Sequence, residues 1–192
     1  GVSENDLTLD EQGLTDGEHM LNWHQIWELL DDANRSALVY YHAPATRSIE
    51  EGGKIHVTYG FAAQAVKIAI DESEGKIKVL KVLTANDAGK VINPLGFQGQ
   101  VEGGVVMGVG QALFEEFQTV EGIIKSDRAA RYPIPRMHDS PEIESIIVEA
   151  IMQDGPFGAK GVGEITSIPT PPAIANAVFN TTGERFYSLP IR

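Results

Sequence analysis

Apolar and polar residues alternate along two neighbouring stretches of the chain: Val66, Ile68 and Ile70 in the first, then Ile77, Val79 and Val82 in the second, where the alternation slips by one residue. Alternation sends every second side chain to the same face of a strand. The pattern therefore predicts a long hairpin over 54–87 with one buried face and its turn at Glu74-Gly75. Upstream, Asn22 precedes Trp23, Ile26, Trp27 and Leu30, which share one face of a helix, and Asn22 is a suitable cap. The two tryptophans are expected to pack a core. SALVYYHA, residues 36–43, predicts a strand followed by a loop, and EIESIIVEAIM, residues 142–152, predicts another strand. Thr170 and Pro171 open a final helix with its body over 173–180 and Gly183 just past its end.

The segment GFQGQVEGGVVMGVGQALFEEF, residues 96–117, follows Asn93-Pro94 and reads as a helix despite its glycines. Each glycine in a helix interior costs about 0.5–1 kcal/mol relative to alanine, so a segment this rich in them needs a compensating role. At about 100° per residue, Gln100, Met107 and Gln111 fall on one face with Gly103 and Gly104 beside them. Val105, Val106, Val109, Ala112 and Leu113 gather opposite, as a core stripe. The glycine face either admits a neighbouring backbone or lets a ligand lie against the helix with amides at its polar edges. A second glycine-rich stretch, GAKGVGE at 158–164, lies between a predicted strand and a predicted helix. Backbone amides in such a loop suit an anion, and Glu164 is a candidate base. Neither stretch is a dinucleotide fingerprint, because the final glycine slot holds Leu113 in one and Thr166 in the other. Lys160 is followed by glycine, which excludes a Walker sequence.

Composition narrows the partners. The net charge of −12 argues against nucleic acid and anionic membranes. The absence of cysteine removes disulfides, thiolate metal sites and a cysteine nucleophile. His19, His24, His42, His56 and His138 lack paired spacing, so no metal held directly by protein ligands is expected. Glutamines and glutamates interrupt the glycine-rich helix too often for a membrane span. No secretory signal is visible at the start, and a cytoplasmic setting is the expectation. Asp87 and Asn93 read as turn residues. The element order predicts an α/β (α+β) fold, a two-layer sandwich with a mixed sheet, in one module over 1–192 with residues 1–50 as a helix-and-strand lead-in.

Taken in order, NDAGKVINPLGFQGQVEGGVVMGVGQALFEE, RYPIP, GAKGVGE and PPAIANAV resemble the C-terminal part of the molybdopterin-binding subunit of the xanthine dehydrogenase and aldehyde oxidase family, over 52–192. The resemblance implies a molybdenum-cofactor-binding fold in which residues 51–192 face the cofactor. It implies a molybdenum hydroxylase that oxidises C–H bonds of an aldehyde, purine or N-heterocycle with water as the oxygen source. Its cofactor would be molybdenum on molybdopterin, often in the cytosine dinucleotide form.

In that family the glutamate ending GVGE is the general base, which carries over to Glu164. Gln100, in the pattern G-Q-x-x-G, would contact the cofactor, while Gly99, Gly103 and Gly104 would let it approach. Lys160, Gly161, Val162 and Gly163 would line it from the second stretch. Met107 stands where several members have glutamine, which weakens any polar contact from that turn. The family's upstream segments have no counterpart here, so the isolated chain is expected to be inactive and to share its cofactor with the rest of the subunit. Iron–sulfur (2Fe–2S) and FAD groups are expected on other domains or chains, with a small molecule as substrate. The alternative is a domain that binds a phosphate-bearing ligand or serves assembly, without redox chemistry.

Overall fold

The computed structural model describes residues 3–128 and 130–191, which divide into two compact units, Gly1–His42 and Ala43–Arg192.

The first unit holds a small antiparallel sheet of β1 (Thr8–Leu9), β2 (Gly13–Thr15) and β3 (Met20–Asn22), followed by α1 (Trp23–Leu29). The predicted cap is present and reciprocal: Gln25 N donates to Asn22 Oδ1 and Asn22 N donates to Gln25 Oε1, both at 2.9 Å. The expectation that the tryptophans pack a core is corrected, because Trp23 and Trp27 are 50% and 53% exposed. Strands this short offer no apolar layer to cover them, and only Gly13 is buried among the unit's described residues. Trp27 instead lies beneath the Arg35 guanidinium, 4.9 Å from the ring centre. The strand predicted at 36–43 does not form. Its side chains favour extended backbone, but a strand requires a neighbour to bond to.

In the second unit β4 (Ala62–Asp71) and β5 (Lys76–Asp87) make the predicted hairpin, which starts later than the sequence suggested. Its turn is set by Asp71 Oδ1, which accepts from Ser73 N at 2.9 Å and Ser73 Oγ at 2.6 Å, and by Gly75 at φ +64°. The slip in the hydrophobic pattern is a bulge: Lys67 faces Lys81 but Ile68 faces Val79, leaving Leu80 as the extra residue. Next come α2 (Pro94–Leu113), the short hairpin β6 (Thr119–Val120) and β7 (Ile123–Ile124), β8 (Glu142–Val148) and α3 (Thr170–Thr182). Asn93 caps α2 by accepting from Gly96 N at 2.9 Å, and Gly183 ends α3 at φ +76°. The β6–β7 hairpin turns through Glu121 and Gly122, both at positive φ, in a stretch that had no strand prediction.

The main sheet runs β4-β5-β8, antiparallel then parallel, so it is mixed as expected. Helices α2 and α3 cover one face of it, giving the two-layer α/β fold. The core is Val79 and Val82 from β5, Val101, Val105 and Val109 from α2, and Ile174 and Val178 from α3. Complete burial of each such aliphatic side chain contributes about 1.5–3 kcal/mol.

The glycines of α2 divide into two kinds. A Cβ on Gly104 would fall 2.0 Å from Thr166 Oγ1, and one on Gly108 would fall 2.4 Å from Thr170 Cβ, so these two permit close packing. Gly99 and Gly103 face open space. Alanine should therefore have opposite effects at the two kinds of site. Gly108→Ala is expected to destabilise the chain by about 1–3 kcal/mol through overpacking. Gly103→Ala is expected to stabilise it by about 0.5–1 kcal/mol. Urea unfolding of the two variants checks both signs.

Candidate functional site

The GAKGVGE loop is built against the far end of the hairpin from its turn. Gly158 O accepts from Lys90 N and Met152 N, each at 3.0 Å, and Lys160 N donates to Ala88 O at 2.9 Å. Gly89 makes this approach possible. It sits at φ +58°, and a Cβ there would lie 2.2 Å from Gly158 O.

A buried ion pair reinforces the join. Lys160 Nζ lies 2.7 Å from Asp87 Oδ2 and also donates to Tyr59 O at 3.2 Å, with the two side chains only 9% and 4% exposed. Asp87 Oδ1 accepts from Gly89 N at 3.0 Å and Ala150 N at 3.3 Å. Burial is the largest influence on the Asp87 carboxyl and raises its pKa. The bond from Lys160 and the two backbone N–H donors together outweigh burial, leaving the group below the usual carboxylate range.

Beyond Glu164 the chain turns into α3. Glu164 O accepts from Ser167 N at 3.0 Å and Ser167 Oγ at 2.9 Å. Thr166 and Thr170 are fully buried. The half-buried Gln64 of β4 binds both: its Nε2 donates to Thr166 O at 3.0 Å, and its Oε1 accepts from Thr170 Oγ1 at 2.8 Å. Thr166 Oγ1 in turn donates to Gln100 O at 3.2 Å on α2.

The two glycine-rich stretches thus meet. Gln100 Nε2 reaches Gly163 O at 3.4 Å, a long bond that leaves the amide exposed and able to turn. The Glu164 side chain is exposed and takes no hydrogen bond or ion pair among the described residues. Gly161 faces open space, as do Gly99 and Gly103, and Val162 packs partly against the core. Gly161, Val162 and Gly163 donate no backbone hydrogen bond to any described residue. Gly104 is covered by Thr166, and the Lys160 ammonium is committed to Asp87 and Tyr59, so neither presents itself to a ligand.

Sequence reasoning missed Gln64, Thr166 and Thr170, and it read Asp87 only as a turn residue. Asp87 does organise the turn at Gly89, but its partner Lys160 lies in a distant motif with no spacing to announce the pair. Among the described residues no group of three or more His, Asp or Glu could hold a metal ion, and no helix is long and apolar enough to cross a membrane. A cavity of about 1230 Å³ opens beside the hairpin turn between Ile70, Ile77, Val109, Leu113 and Ile191, and neither Gln100 nor Glu164 lines it.

Residues 1–141 match the family model described as "Molybdopterin cofactor-binding domain". The chain is 36% identical over 148 residues to a probable xanthine dehydrogenase subunit of Bacillus subtilis, covering 77% of this chain and 20% of that protein. It is 35% identical over 152 residues to the aldehyde oxidoreductase molybdenum-binding subunit PaoC of Escherichia coli K12, covering 77% of this chain and 21% of that one. Among solved structures, the aldehyde oxidoreductase from Desulfovibrio desulfuricans superposes with a TM-score of 0.67 at 34% identity, over 72% of this chain and 15% of that one. Quinoline 2-oxidoreductase from Pseudomonas putida 86 gives 0.63 at 30% identity, over 67% of this chain and 17% of that one. The chain spans between about a tenth and a fifth of the length of the curated relatives it matches.

Because Asp87 is held below its unfolded value, its contribution to stability is complete above that value, about 3.9. The contribution disappears as pH falls through the folded value. The urea midpoint should therefore drop below about pH 4. Asp87→Asn should flatten that acid limb and cost about 3–5 kcal/mol at neutral pH by leaving Lys160 buried without its counter-charge. Urea titrations at a series of pH values measure both effects.

Proposed function

Because the chain belongs to the molybdopterin cofactor-binding domain family, of the xanthine dehydrogenase and aldehyde oxidoreductase type, we propose that it forms one wall of a molybdenum hydroxylase site and supplies its general base, Glu164. The observation that carries this reading is the meeting of the two glycine-rich stretches, where the exposed Gln100 amide reaches Gly163 O and the next residue, Glu164, is exposed with a carboxylate that has no partner among the described residues. The residues present suit a pterin cofactor bearing phosphate. Gly99, Gly103 and Gly161 leave open space for close approach, and three successive backbone N–H groups, at Gly161, Val162 and Gly163, are unused among the described residues.

When bound, molybdenum on the molybdopterin dithiolene supplies the redox and oxygen-transfer chemistry that side chains lack. Gln100 would hold a polar edge of the pterin through its amide. The free N–H groups of the GVG stretch would take an anionic part of the cofactor, such as the phosphate of the cytosine dinucleotide form. A Glu164 carboxylate oxygen would accept the proton given up as the water-derived nucleophile forms, a step that needs hydrogen-bond reach of about 2.6–3.2 Å. Lys160 has no part in binding the cofactor in this reading.

The substrate belongs to the class of aldehydes, purines and N-heterocycles with an oxidisable C–H bond. The similar proteins include a xanthine dehydrogenase subunit, an aldehyde oxidoreductase and a quinoline 2-oxidoreductase. With Gln100 and Glu164 open to solvent, this chain provides only part of an enclosure. The remainder of the molybdenum-binding subunit would complete it in a cytoplasmic assembly, with 2Fe–2S and flavin groups on further domains or subunits carrying electrons away.

Glu164→Gln in the complete enzyme keeps side-chain size and removes the proton acceptor. Turnover should fall by about 10²–10⁴-fold, while molybdenum and pterin content stay at the wild-type level. Steady-state kinetics with metal analysis on the same preparation test this. Turnover within a few-fold of wild type would refute the role given to Glu164.

A further inference from the structure

The Glu164 side chain has no bond of its own to orient it among the described residues, so its carboxylate turns about the side-chain torsions and the backbone sets only the region it can reach. Residues 161–165 belong to no strand or regular helix. Gln100 on Gly163 O, Ser167 on Glu164 O and the packing of Val162 act within the loop, and a pair of side-chain anchors brackets it from outside. Upstream, the Lys160 ammonium is locked to Asp87 Oδ2 and Tyr59 O. Downstream, Gln64 uses both ends of its amide, donating to Thr166 O and accepting from Thr170 Oγ1. The orientation of that amide follows from chemistry: a carbonyl oxygen only accepts, so nitrogen must face Thr166 O, and the Thr170 hydroxyl then supplies the donor for Oε1. Asp87 ends β5 and Gln64 lies on β4, and the two strands are paired by Gln64↔Thr84 and Ala62↔Asn86. Both anchors are therefore tied to one rigid piece of sheet.

We infer that Lys160 and Gln64 are positioning residues that hold the backbone on either side of Glu164 and so set the region its carboxylate can reach. Neither touches the reacting atoms in this arrangement. Their influence passes through the loop, and it rests on the general-base role proposed for Glu164. A displacement of about 1 Å at a reacting group can cost about 10²-fold in rate, so even partial loosening of the loop should be measurable.

The test uses the complete, cofactor-loaded enzyme and four variants: Gln64→Met, which keeps length and removes both amide bonds, Lys160→Met, Lys160→Arg and Glu164→Gln. Two readouts are taken, turnover and amide hydrogen exchange of peptides covering 161–168. Gln64→Met should lower kcat by about 10-fold, leave molybdenum content and KM near wild type, and speed exchange across the loop. Lys160→Arg, which keeps the charge opposite Asp87, should recover most of what Lys160→Met loses. In a Glu164→Gln background, Gln64→Met should change the residual turnover by less than about two-fold, because the group it positions is already gone. Exchange should still rise in that background. An equal loss of turnover in both backgrounds, or exchange unchanged by Gln64→Met, would overturn the inference. If Lys160→Met does not accumulate as folded enzyme, the Gln64→Met pair decides alone. If Glu164→Gln keeps full turnover, the general-base reading fails, and exchange then decides whether the two anchors hold the loop.

Discussion

How closely α2 can lie against the turn from Thr166 to Thr170 governs the geometry of the second unit. Any side chain at Gly104 or Gly108 would collide with a buried threonine, so only glycine allows the present separation. At that separation the Thr166 hydroxyl reaches the carbonyl of Gln100, inside the helix, and fixes how far the helix slides along the turn. The same contact puts the Gln100 amide beside Gly163. The helix gives up intrinsic stability at these positions, and the packed threonines return it as tertiary contact.

The Asp87–Lys160 pair works differently. Removing two charges from water is expensive, and a buried pair is weak evidence of net stabilisation by itself. Here the polar valences are well satisfied, with Asp87 taking two backbone N–H groups and Lys160 reaching a backbone carbonyl. Such a pair tolerates one arrangement and penalises near misses, which suits it to fixing the place of an otherwise irregular loop. Polar side chains on the helix-covered side of the sheet, Gln64, Thr84 and Asn86, continue the theme in place of aliphatic packing. Asn86 Nδ2 donates to Thr84 Oγ1, and its Oδ1 has no partner among the described residues.

Elements with strong periodicity were legible in the sequence. Alternation identified β4 and β5, and even the slip at Leu80 was visible before its cause was known. Asn22 and Gly183 marked helix ends because capping is a local property of a few adjacent residues, whereas Asn93, read as a turn residue, is the cap of α2. The strand expected at 36–43 failed for the opposite reason: pairing is not local, and β-branched and aromatic side chains cannot supply an edge to pair with. Burial of Trp23 and Trp27 failed because an apolar helix face states a need for cover without providing it. Gln100 and Glu164 stood out as candidates through their motifs, and the structure brings their segments together. Gln64 and Asp87 were not, since each acts through one partner that is remote in sequence and carries no motif.

The parallel pairing of β5 with β8 has a consequence for how this protein can change over evolutionary time. Parallel strands deliver their carboxyl ends to the same side of a sheet, the usual location of ligand sites in α/β proteins. The segment after β5 leads into α2 with Gln100, and the segment after β8 leads through GAKGVGE to Glu164. The hairpin turn between β4 and β5 lies at the other end. Loop length and composition at 71–76 can therefore drift with little effect on the candidate site, whereas insertions after Asp87 or Val148 would move Gln100 and Glu164 themselves. The sheet thus separates the chain into an end free to vary and an end where each residue is tied to the others.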